Sequence, residues 1–64
     1  MTKEELILQL NLLGYITKAQ NQDVFIHPDY MSVMILSNTL DEYAVWTPRY
    51  GRQPNFQDFL DKRD

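Results

Sequence analysis

MSVMILS, residues 31–37, decides the fold, because the same seven residues suit either a strand or a helix. As a strand, they would place Met31, Val33 and Ile35 on one face. As a helix capped by Asp29, they would turn a different set of apolar side chains inward. Methionine and leucine favour the helix, whereas Val33, Ile35 and the following Ser-Asn-Thr favour a strand and a turn. We predict a strand and keep the helix as the alternative.

Three other stretches are rich in β-branched and aromatic residues and are bounded by turn residues. They predict strands at residues 15–19, 24–27 and 42–47. The first two would form a hairpin across the polar run 20–23, which is a turn signal. In the third, alternation places Tyr43 and Val45 on one face of the strand and turns Trp46 to the other.

The N-terminal segment has the clearest helical pattern. Thr2 and Glu5 have the spacing of a capping box, in which the hydroxyl and the carboxylate each accept a hydrogen bond from a free backbone N–H group. Apolar residues recur at helical spacing up to Leu13. Gly14 fits the left-handed position that follows a helix, with Tyr15 folding back in a Schellman motif. These features predict a helix over residues 3–13.

A shorter helix is predicted near the other end of the sequence, over residues 56–62. Asn55 is a suitable N-cap, and Phe56, Phe59 and Leu60 form an apolar stripe. Helices on either side of several short strands predict an α+β fold. It would be a small antiparallel sheet of three to four short strands, packed by an N-terminal helix and a short C-terminal helix. With 64 residues, the chain forms a single small globular domain, 1–64.

Composition restricts the class of protein. The chain has no cysteine, so the disulfide scaffold of a small secreted domain is not expected. A basic start followed by an apolar run is absent, and no stretch approaches the ~20 apolar residues of a membrane helix. We predict a soluble, cytoplasmic protein that is not bound to a membrane. The net charge of −3 argues against a general nucleic-acid binder, whose affinity comes mainly from phosphate neutralisation.

The residue types that carry chemistry do not form a recognisable motif. His27 is the only histidine, and without cysteine a metal site lacks converging ligands. We expect His27 to bond a local carboxylate or water. Ser32 or Ser37 with His27 and Asp41 supplies the residue types of a hydrolytic triad, but neither serine lies in a nucleophile motif. With two glycines, the chain has no phosphate-cradling loop. We therefore predict no enzymatic activity, no catalytic residue, no metal and no cofactor.

The stretch WTPRYGRQPNF, residues 46–56, is the candidate for a contact surface. It contains Trp46, Arg49, Tyr50 and Arg52, and tryptophan, tyrosine and arginine are enriched at the centres of protein interfaces. Two prolines reduce the entropy that the loop loses on binding, and the segment carries a local charge of +2. The simpler interpretation is a connector to the last helix, with Trp46 as a core residue. We predict that these four residues form a protein-binding site.

Taken together, these features predict a non-enzymatic protein-interaction module, such as a small inhibitor, adaptor or regulator. In size and composition it resembles, as a type, the accessory proteins of bacteria and their phages. The partner is expected to be another protein, and nucleic acid is not the expected partner. The alternative is a weak single-stranded nucleic-acid-binding module that uses the arginines and aromatic residues of the loop. Leu8 and Leu12 widen the apolar face of the first helix, so a homodimer is also considered.

Overall fold

Two helices and five strands follow one another in the computed structural model, which describes residues 1–18 and 20–63. They are α1 (Lys3–Leu12), β1 (Ile16–Thr17), β2 (Val24–Ile26), β3 (Val33–Ser37), β4 (Tyr43–Thr47), β5 (Gly51–Gln53) and α2 (Phe56–Asp61). The strand predicted at 15–19 is β1, and Ala19 of that prediction lies outside the described residues. The α+β class and both helices are confirmed, and the sheet has one strand more than predicted.

The segment that decides the fold is a strand at the centre of the sheet. All five strands pair antiparallel in chain order, so β3 lies between β2 and β4. Val33 and Ile35 are buried, as the strand interpretation predicts, and the helix alternative is wrong. Met31 does not share their face, because it precedes the strand and is 59% exposed. β2 ends at Ile26, so no residue of the ladder stands opposite Met31.

Both ends of α1 are fixed by local hydrogen bonds. The Thr2 hydroxyl accepts from the Glu5 N–H, and the Glu5 carboxylate accepts from the Thr2 N–H at 2.9 Å. Hydrogen bonding of the Glu5 carboxylate to the backbone N–H of Thr2, and next to the Thr2 side chain, holds the pKa of Glu5 below its ordinary value. At the other end Gly14 has φ +99°, and the Tyr15 N–H donates to the Leu10 carbonyl at 3.0 Å. The predicted capping box and Schellman motif are therefore confirmed.

One face of the sheet and the two helices enclose the core. Its buried members come from α1, the turn after it, β2, β3, β4 and α2. They are Leu6, Leu10, Tyr15, Phe25, Val33, Ile35, Val45 and Phe59. Both helices lie on the same side of the sheet, because every strand residue in this cluster points to one face. The other face of the sheet contributes nothing to this core.

The additional strand comes from the stretch that was interpreted as a connector. Thr47 pairs with Gly51 across the three-residue loop Pro48–Tyr50, and Val45 pairs with Gln53. Gly51 has φ +74°, which suits the left-handed residue that closes a three-residue hairpin loop after a type I turn. Sequence reasoning missed β5 because Gly-Arg-Gln has low strand propensity. Pro48 followed three residues later by Gly51 was the turn signal that could have revealed it.

Candidate protein-binding surface

The four predicted site residues lie together on the β4–β5 hairpin, but they divide into two pairs. Trp46 and Arg52 stand directly opposite each other in the ladder, so their side chains project from the same face of the sheet. Arg49 and Tyr50 lie in the loop at the tip of the hairpin. The structure therefore places a sheet-face pair beside a loop pair.

Trp46 and Arg52 belong to the face of the sheet opposite the core, which we call the open face. Its members alternate with the core residues along the strands and stand opposite one another in the ladders. They are Ile16, Val24, Ile26, Met34, Leu36, Ala44, Trp46 and Arg52. None of these side chains belongs to the core cluster or packs against it. Seven of the eight are apolar, so the open face is an apolar sheet surface that neither helix covers.

Trp46 is the largest side chain on the open face and is not a core residue. It is 37% exposed, whereas Ala44 on the same face is 1% exposed. The interpretation of Trp46 as a core residue is wrong, because alternation from the buried Val45 turns its indole away from the helices. Met34 and Arg52 stand on either side of it. Trp46 is therefore an exposed aromatic side chain of the open face, on the strand next to the β5 edge.

The loop pair is held in a defined conformation. The Tyr50 N–H donates to the Thr47 hydroxyl at 3.0 Å, and the Gln53 side-chain amide donates to the Tyr50 carbonyl at 3.2 Å. The Tyr50 side chain is 47% exposed, and the Lys62 ammonium lies 5.9 Å from the centre of its ring. Because the backbone of the loop is already ordered, binding through Tyr50 would require little further loss of conformational entropy.

Positive charge is concentrated around this hairpin. Four of the six lysine and arginine residues of the sequence lie on it or at the end of α2. They are Arg49, Arg52, Lys62 and Arg63. Since the whole chain carries a net charge of −3, its remaining surface is acidic by comparison. The hairpin end of the protein therefore suits an acidic ligand or partner surface.

His27 has a structural role rather than the contacts expected from the sequence. Its Nε2 lies 3.0 Å from the Leu13 carbonyl, and its Nδ1 accepts from the Asp29 N–H at 3.0 Å. Nε2 therefore carries the proton, and the ring bridges the end of α1 to the loop after β2. The hydrogen bonds of the ring are to backbone groups rather than to a local carboxylate, and the side chain is partly exposed. Ser37 donates to the Thr39 carbonyl, so the structure does not join it to His27 as a triad would require.

An open cleft lies between the two helices on the core side of the sheet. Its volume is about 460 Å³, and its walls include Leu6, Tyr43, Gln53 and Phe56. The cleft is open because α1 and α2 leave part of the core side of the sheet uncovered. The Gln53 amide is already bonded to the loop, so the cleft offers few polar groups to a ligand.

Comparison with known proteins finds no matching protein-family model, no matching curated protein and no matching solved structure. Within the described residues, no group of three or more histidine, cysteine, aspartate or glutamate side chains could hold a metal ion. None of the helices in that part of the chain is long and apolar enough to cross a membrane. The function must therefore be inferred from the open face and the hairpin loop themselves.

Proposed function

We propose that this protein is a non-enzymatic interaction module that binds another protein through the open face and the β4–β5 loop. It would act as a small inhibitor, adaptor or regulator, and its lack of cysteine is compatible with the reducing cytoplasm. The observation that carries the proposal is the apolar open face with Trp46 exposed on it. Exposed apolar patches of this kind are typical of interaction sites in soluble proteins.

The size of the open face supports including the loop in the proposed surface. Five strands spaced about 4.8 Å apart, each of a few residues, give a projected area on the order of 200–300 Å². A stable interface buries about 800 Å² on each partner. The open face alone is too small, so a partner would also contact Arg49 and Tyr50. The resulting site contains all four predicted residues, with Trp46 as the anchor.

The charges define the chemistry of the partner. Arg52 projects from the open face, and Arg49 lies three residues away in the loop. A partner that is apolar at its centre and carries aspartate or glutamate around it would complement both arginines. Residues 46–56 carry +2 and the rest of the chain −5, which together give the net charge of −3, so the approach of such a partner is oriented towards the hairpin.

Site-specific photo-crosslinking in cells tests this proposal. A benzophenone amino acid at position 46 probes the open face, and the same group at position 40 is the matched control. Leu40 is 95% exposed and lies in the turn between β3 and β4, away from the open face. We expect a discrete adduct with another protein from position 46 and none from position 40. Arg52→Glu should weaken this adduct by reversing the complementary charge.

Other crosslinking results would contradict the proposal. Equal adducts from positions 46 and 40, or none from either, would show that the open face is not the binding surface. An adduct of twice the mass of the chain would identify a second copy as the occupant. In that case sedimentation should show a dimer that Trp46→Ala dissociates, and the proposal of a different partner protein would fail.

Nucleic-acid binding is the second candidate, and the grouping of four cations with Trp46 and Tyr50 is the observation that favours it. Phosphate contacts from Arg49 and Arg52 alone would give a salt slope of about −1.4 to −1.8 in a plot of log affinity against log salt. Fluorescence anisotropy with a single-stranded oligonucleotide measures this slope. Binding that survives high salt and persists in the Arg49→Ala/Arg52→Ala variant would show that another surface is used.

A further inference from the structure

A small cavity lies between the β4–β5 loop, the end of α2 and the core. Its volume is about 20 Å³, and its walls include Tyr15, Thr47, Arg49, Lys62 and Arg63. A space of this size holds roughly one water molecule or one oxygen atom. Three of its ten lining residues are cationic, and no acidic side chain lines the cavity in the described part of the chain.

Two of these side chains place buried polar atoms without a hydrogen-bond partner among the described residues. They are the Tyr15 hydroxyl and the Nη1 nitrogen of Arg63. Tyr15 is 1% exposed, so solvent cannot satisfy its hydroxyl. Buried polar groups in folded proteins are almost always hydrogen-bonded, and each exception requires an explanation. Two exceptions that line one cavity have a common explanation if the cavity receives a ligand atom.

Both groups are fixed in place by aromatic packing. The Tyr15 ring contacts the rings of His27 and Phe59, with centroid separations of 4.8 Å and 6.2 Å. The Arg63 guanidinium lies 4.2 Å from the centre of the Tyr30 ring. Neither group can therefore turn freely to another partner. The two donors are preorganised, which reduces the entropy lost when a ligand binds between them.

We propose that this cavity binds one oxygen of an oxyanion, a phosphate or carboxylate group, which accepts hydrogen bonds from Tyr15 and Arg63. The remaining oxygens would lie at the mouth of the cavity, where Lys62 contributes positive charge. A guanidinium donates hydrogen bonds but cannot accept them. Hydrogen bonds to an ionised acceptor are roughly twice as strong as those between neutral groups. A buried water could satisfy both donors but, among the described residues, would leave the charge of Arg63 without an anionic partner in the cavity, so an anion fits the site better.

Tyr15→Phe gives the sharpest test, because it removes only the unpartnered hydroxyl. In chloride buffer we expect this variant to melt close to the parent protein, because the hydroxyl gives up only its contact with the neighbouring Arg63 guanidinium. Inorganic phosphate at constant ionic strength should raise the melting temperature of the parent protein and shift the amide NMR signals around Lys62 and Arg63. Tyr15→Phe should weaken phosphate binding about tenfold or more. Tyr43→Phe is the matched control and should keep the full phosphate response.

A second variant and a second anion complete the experiment. Arg63→Gln should lose the phosphate response even if Tyr15→Phe is less stable than expected. Acetate in place of phosphate shows whether the site prefers a carboxylate or a phosphate group, since both present the same acceptor oxygen. The proposal is overturned if neither anion affects the parent protein, or if Tyr15→Phe and Arg63→Gln respond as the parent protein does. The first of these results would assign the cavity to a bridging water.

Discussion

Leu10 and Leu12 offer a direct test of how the first helix contributes to stability. They lie on the same helix and differ by two positions, but Leu10 is 0% exposed and Leu12 is 72% exposed. Leu10 packs in the core cluster, and its carbonyl accepts the Tyr15 N–H at the end of α1. The same substitution by alanine at each position therefore separates burial from every other property of leucine in this helix.

The expected losses in the free energy of unfolding differ several-fold between the two variants. Leu10→Ala removes three buried carbon atoms and leaves a cavity, which costs about 2–5 kcal/mol. A chain of this length has a total stability of roughly 3–10 kcal/mol, so this variant would be largely or wholly unfolded at moderate temperature. Each kcal/mol corresponds to about 4–8 °C in melting temperature for a domain of this size. Leu12→Ala should stay within about 0.5 kcal/mol of the parent protein, because the side chain makes little contact with the core.

Urea unfolding followed by circular dichroism measures both variants. A difference of less than about 1 kcal/mol between them would refute the burial argument, because core and surface leucines cannot cost the same. If Leu12→Ala destabilises the protein only at high protein concentration, α1 is part of a dimer interface. That result would support the homodimer considered from the excess of leucines on this helix, which the structure leaves exposed at Leu8 and Leu12.

Three further predictions use the same kind of comparison. Gly14 and Gly51 both have positive φ, but an added Cβ would lie 2.9 Å from the His27 ring at Gly14 and meet nothing within 4 Å at Gly51. Gly51→Ala should therefore cost about 1–2 kcal/mol and Gly14→Ala clearly more in urea unfolding, whereas equal costs would contradict this account. Tyr50→Ala should reduce partner affinity by about 2 kcal/mol while the melting temperature changes little, and an unfolded variant would instead make Tyr50 a core residue. Burial raises the pKa of Tyr15 above its ordinary value of 10.0, so its contribution to stability should be complete below about pH 10 and decline as the pH rises further. Tyr15→Phe should reduce that alkaline loss in a pH series of thermal melts, and an unchanged loss would assign it to other groups.

The elements that could be predicted from the sequence are those whose signals are local. Thr2 and Glu5 specify the start of α1 through bonds between residues three apart, and Gly14 specifies its end. The central strand was recoverable because Val33 and Ile35 carry both a period of two and a high strand propensity. β5 was missed because its three residues lack that propensity. They form a strand because they pair with β4.

The candidate site could be predicted from the sequence only in part. Alternation along β4 correctly separates Trp46 from Val45, but alternation cannot say which face the helices will cover. That choice depends on which strand residues pack against Leu6 and Leu10, which is a property of the whole fold. The cavity between Tyr15 and Arg63 could not be predicted from the sequence at all. Its walls are 48 positions apart in the sequence, and no periodic pattern connects them.

The order of the strands also has a consequence for folding kinetics. Each strand pairs only with its neighbours along the chain, so the sheet can grow hairpin by hairpin without first closing a long loop. Topologies dominated by such local pairing fold faster than those in which distant segments must meet. The apolar open face is then exposed on partly folded chains only briefly. The edge strands β1 and β5 are two and three residues long, too short to offer an extended template to another unfolded chain. A protein built in this way can keep an uncovered apolar surface while limiting the time and the edge length available for aggregation.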